Sequence, residues 1–139
     1  MKDMIKKVRE ENGGFTLAEL LIVVAIIAVL VAIAIPVFTA ALHNSKAATD
    51  EANARSLYAD LQADYLANAA SSYTEATWDS SLKDGVTFNG SSSDKFTLSD
   101  GEEITMVDSD DTISLSFTEG EGWGVEFKCG DTDKTWGIQ

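Results

Sequence analysis

Cysteine, histidine and proline occur once each in the 139 residues, as Cys129, His43 and Pro36. A single cysteine excludes an intramolecular disulfide. His43 closes an apolar run, where interfacial packing or solvent contact is expected rather than proton transfer. Enzymatic chemistry therefore finds few candidates, and neither an enzyme nor a cofactor is expected. Glycine is absent from Phe15 through Asp84, whereas eight glycines lie between Gly85 and Gly137. All 17 alanines fall between Ala18 and Ala76. Alanine favours helix and interior glycine weakens it, so the first half reads as one long helix and the second as strands and turns. Charge is absent from Leu20 to Leu42, a length that suffices to span a bilayer.

Before that uncharged run stand Gly14-Phe15-Thr16-Leu17-Ala18-Glu19, preceded by a leader carrying Lys2, Lys6, Lys7 and Arg9. A carboxylate in a membrane helix costs roughly 2.5–3.5 kcal/mol at the bilayer centre, so Glu19 reads as a functional residue that needs a partner. A secretory signal peptide has a shorter apolar core, and a plain signal anchor predicts neither the glycine pair nor the carboxylate. Excess Lys and Arg keeps the leader cytoplasmic and sends the remainder outward. The six residues resemble the class III signal of type IV prepilins, shared by the pseudopilins of type II secretion. The resemblance implies cleavage between Gly14 and Phe15 by a prepilin peptidase, N-methylation of Phe15, and a charge pair between Glu19 and a neighbouring Phe15 amine that sets subunit register. It also implies an assembly ATPase, a platform membrane protein, and a helical homopolymer of this chain as partners.

With the leader as residues 1–14, the expected divisions are an apolar transmembrane or filament-core helix over 15–42, its amphipathic continuation over 43–70, a connecting loop over 71–84, and a β head over 85–139. Leu57, Leu61 and Tyr65 repeat at helical spacing, with Tyr58 and Leu66 beside them; Lys46, Asp50, Glu51, Arg55, Asp60 and Asp64 are expected at solvated positions. Pro36 lacks an N–H and costs about 3 kcal/mol in a helix interior unless the helix bends or opens. In the resembling family a proline there marks a kink or a melting segment.

Beyond residue 82 the apolar period is two. Val86 and Phe88; Phe96 and Leu98; Ile104 and Met106; Ile113, Leu115 and Phe117; Trp123, Val125, Phe127 and Cys129; and Trp136 and Ile138 alternate with polar residues or glycine. One sheet face is therefore apolar. Asp100-Gly101 is a hairpin signal, and Asn89-Gly90, Asp108 to Asp111, Glu119 to Gly122 and Gly130-Asp131 supply the other turns. The expected fold is α+β and type IV pilin-like, a long N-terminal helix packed on an antiparallel β-meander of five or six strands. Neither layer can bury itself alone.

The acidic turn offers Asp108, Asp110 and Asp111 as calcium candidates, although their spacing is not that of an EF-hand and exposed turns favour the same residues. Cys129 alternates with Phe127 and Val125 and reads as a small buried hydrophobe, with a reactive thiol as the alternative. Trp123 reads as core before exposed contact. The leader takes away three acidic and four basic side chains, leaving 20 and six, a side-chain charge of −14. Such a surface disfavours nucleic acid as a direct ligand. The expected function is a structural subunit, a major pilin, membrane-anchored as a precursor and then part of an extracellular filament on the cell surface. The alternatives are a pseudopilin of a secretion or competence machine and, from another class, a membrane-anchored ligand-binding module.

Overall fold

The computed structural model describes residues 14–68, 73–92 and 94–138. The leader's basic residues, Ala70 and residues 71–72 lie outside them. Helix α1 runs over Leu17–Ala67 without interruption, Pro36 included. Alanine and the absence of glycine favour this stretch as helix. Two compact units divide the chain, Met1–Ala41 and Leu42–Gln139.

In the first unit every described side chain is exposed. The helix there is long and apolar enough to cross a membrane. Such all-round apolarity suits a solvent other than water. Pro36 has no N–H for the carbonyl one turn back, and Thr39 donates its hydroxyl to the Pro36 carbonyl at 3.0 Å.

In the second unit α1 buries Asp50, Ala54, Leu57 and Leu61, spaced along one face. Leu57 and Leu61 fall where the sequence put them, while Leu66 is exposed. Asp50 corrects the expectation of a solvated position: it is fully buried, because it accepts backbone N–H bonds from the turn beneath it. The helix closes at Ala67, short of residue 70, with the Asn68 side chain donating to the Asp64 carbonyl and carboxylate.

Among the described residues six strands follow: β1 Thr87–Asn89, β2 Lys95–Thr97, β3 Glu103–Thr105, β4 Thr112–Thr118, β5 Gly122–Cys129 and β6 Thr132–Trp136. A four-stranded antiparallel sheet has the order β1-β4-β5-β6, and β2 and β3 pair separately. Only β4 to β6 form a meander, so the single continuous sheet expected from periodicity divides in two. The reason lies at Asn89-Gly90. Gly90 N–H donates to the Asp111 carbonyl at 3.2 Å. A Cβ at Gly90 would stand 1.8 Å from the Asp108 carbonyl oxygen. Only glycine lets the chain pass this close to the 108–111 turn, and the chain then leaves the sheet for β2. There Asp100-Gly101 closes the hairpin, with Gly101 at φ +89°.

The core joins Ala54, Leu57 and Leu61 of α1 to Ile113 and Leu115 of β4 and Trp123, Val125 and Phe127 of β5. Full burial of each large apolar side chain contributes about 1.5–3 kcal/mol before entropy is charged against it. Trp123 is 0% exposed, and its backbone N–H donates to Gln62 Oε1 at 3.0 Å. The core reading of Trp123 holds.

Candidate functional site

Gly14, Phe15 and Thr16 lie outside any helix or strand, and Phe15 is 85% exposed. An accessible peptide outside regular structure is what a protease needs. At Thr16 the helix begins with a reciprocal cap. Thr16 N–H donates to Glu19 Oε2 at 2.9 Å, and Glu19 N–H donates to Thr16 Oγ1 at 3.2 Å. A threonine at the cap and a glutamate three residues on satisfy two donors that the helix itself leaves without partners. Within one chain, then, Glu19 has a partner already: its own first turn.

The second polar constellation belongs to the head. Asp50 is fully buried and accepts Val107 N–H at 2.9 Å and Asp108 N–H at 2.8 Å. Asp108, 6% exposed, accepts His43 Nδ1 at 2.8 Å on one oxygen and the Asp110 N–H on the other. The Asp110 N–H, against the opposing cost of burial, and the His43 contact hold the Asp108 carboxyl below its usual range. Asp111 is fully buried, and neither carboxylate oxygen finds a hydrogen-bond partner. Burial first, and then the charges of Asp50 and Asp108, push its pKa up. Cys129 stands 3.9 Å from His43 Nε2, and the Asp111 carboxyl beside it, followed by burial, pushes the thiol up to about 11.

This geometry separates the three calcium candidates. Asp110 is exposed whereas Asp111 faces the core, since successive turn residues point apart. Among the described residues no three His, Cys, Asp or Glu side chains are arranged to hold a metal ion. Cys129 is only partly buried, because it closes β5 at a hairpin, and it touches polar groups rather than a purely apolar core. His43 is half-exposed but anchored to Asp108, so plain solvent contact was too weak a description.

The sequence profile of the prokaryotic N-terminal methylation motif matches residues 11–35, the stretch that contains the cap and the start of the apolar helix. This chain carries the class III signal of type IV pilins and pseudopilins. No curated protein and no solved structure matches the chain. The class III signal implies processing by a prepilin peptidase and assembly into a pilus or pseudopilus. Together with the apolar helix it supports a membrane-anchored precursor and points to a pilin-like or pseudopilin-like protein.

Beside this prepilin signal, sequence reasoning missed the anchoring carboxylates of the head. Asp60 accepts the Ser99 N–H, Asp84 the Phe117 N–H, and Asp64 the Thr77 N–H and the Tyr73 hydroxyl. Asp50 shares the helical spacing of Ala54, Leu57 and Leu61, but its backbone N–H partners lie far along the chain and leave no local signal. Thr16-x-x-Glu19 does carry a local signal, the capping-box pattern.

Proposed function

We propose that the protein is the major subunit of a type IV pilus. It is cut between Gly14 and Phe15, N-methylated at Phe15, held in the cytoplasmic membrane by residues 15–42, and polymerised into an extracellular filament. Residues through Ala67 continue that helix, the chain up to residue 84 connects, and 85–139 complete the head. The observation that carries this reading is the junction itself, an exposed Gly14-Phe15 peptide followed at once by a capped helix whose first turn holds Glu19 and which carries no charge from Leu20 to Leu42.

Hydrocarbon and a helix bundle are both apolar, so moving residues 15–42 from one to the other has little hydrophobic driving force. Alignment has to come from elsewhere. Cleavage creates a cationic Phe15 amine, and a carboxylate brought to about 4 Å from it attracts by about 4 kcal/mol at an effective dielectric near 20. The energy to extract each subunit comes from an assembly ATPase acting through a platform membrane protein. Pro36 serves as the place where the helix bends or opens on packing.

The test is Gly14→Val. A peptidase subsite shaped for a hydrogen has no room for a branched side chain, so the leader stays attached and the protein stays in the membrane. Recovery of normal amounts of a product beginning at Phe15 overturns the reading.

A further inference from the structure

Three carboxylates, Asp50, Asp108 and Asp111, are buried where α1 crosses the 107–111 turn. Two of them are provided for. Asp50 accepts three backbone N–H contacts from Val107 and Asp108, and Asp108 accepts His43 and the Asp110 N–H. Asp111 has no solvent exposure and no donor on either oxygen. An ionised carboxylate in that state is costly, and a second and third like charge beside it increase the cost.

We propose that Asp111 is carried as the neutral carboxylic acid and donates its proton in a hydrogen bond to the Asp50 carboxylate, making the 107–111 turn a pH-sensitive latch on α1. The hydrogen-bond arithmetic permits it. A carboxylate offers about four acceptor sites, and the backbone contacts on Asp50 leave room for one more. A protonated Asp111 has the donor that Asp50 can take, and the interaction is charge-assisted. The groups facing Asp111 come from each packed element: Asp50 from α1, Asp108 from the turn, and Cys129 from β5. His43 contacts Asp108, Lys46 adds positive charge near it, and Asp110 adds negative charge near Cys129. The thiol, itself held protonated, brings no cation.

The sign follows from linkage. Asp111 binds its proton more tightly folded than unfolded, so its contribution is complete below the ordinary carboxylate value of 3.8 and fades as pH rises through the raised folded value. Asp108 behaves oppositely, its contribution being lost as pH falls. The latch is therefore closed at low pH and loosens as pH rises.

The experiment uses the full chain in detergent, with a chelator present, followed by near-ultraviolet circular dichroism on heating from about pH 4 to about pH 9. Wild type is expected to show a midpoint that falls on the alkaline side. Asp111→Asn, which retains a donor without a titrating proton, is expected to lose that fall while keeping the acid-side decline. If Asp111→Asn does not fold, the wild-type infrared spectrum at about pH 6 still decides, because ordinary aspartates are ionised there and a protonated-carboxyl C=O stretch reports the neutral acid. An alkaline fall unchanged in Asp111→Asn, or a wild-type spectrum without that band, overturns the latch. So does a midpoint that rises when the chelator is replaced by a divalent cation, since a cation rather than a proton then satisfies Asp111.

Discussion

The proposed function gives Glu19 a second task beside the one it has in the single chain. In a single chain it receives Thr16 N–H and closes the cap, and in the proposed filament it faces a neighbour's Phe15 amine. The two are separable by substitution. Glutamine still fits a capping box, whereas valine removes the charge and the half of the box that receives Thr16 N–H, leaving the bond to the Thr16 hydroxyl in place. Both Glu19→Gln and Glu19→Val are expected to be cleaved and inserted, and both to yield at least ~10-fold less filament, equivalent to ~1.4 kcal/mol. Quantifying sheared filaments against membrane-held subunit checks this. Wild-type filament yield from Glu19→Gln would assign the role to the cap and remove the charge pair. The Thr16-x-x-Glu19 spacing was readable in the sequence as a cap, but the same carboxylate also belongs to the class III signal, and that reading took precedence.

At the scale of elements, periodicity located the strands and missed how they connect. Alternation places Phe88, Phe96, Ile113, Leu115, Trp123, Val125 and Phe127 on buried faces, and each is buried. Alternation carries no information on which strand pairs with which, so the departure of β2 and β3 from the main sheet was not readable. It depends on one close approach, Gly90 against the Asp108 carbonyl. Gly90→Ala should force that contact apart and destabilise the head by on the order of 1–3 kcal/mol, the usual cost of overpacking. A thermal melt of the full chain in detergent should show the midpoint lowered by several degrees, about 4–8 °C per kcal/mol for a domain of this size. An unchanged midpoint would mean that the turn yields freely and that Gly90 does not decide the sheet's order. Helix α1 was legible in outline for a simpler reason, since alanine content and missing glycine act locally. The buried Asp50 on it was not, because its partners are backbone N–H groups 57 and 58 residues away.

For the molecule as a whole, the composition divides the labour. An exposed helix that carries no charge from Leu20 to Leu42 has no reason to remain in water, and the acidic head, with 19 acidic and six basic side chains over residues 42–139 and so a side-chain charge of −13, has good reason to. The absence of disulfides leaves the head held by the core of α1, β4 and β5 and by carboxylates that grip turns through backbone N–H groups. The most direct measurement is intact-mass spectrometry of long surface fibres sheared from cells and imaged by negative-stain microscopy. The account predicts abundant fibres built of this chain, starting at Phe15 and carrying one added methyl group. Fibres lacking this chain at good expression, or a chain that still begins at Met1, would contradict it.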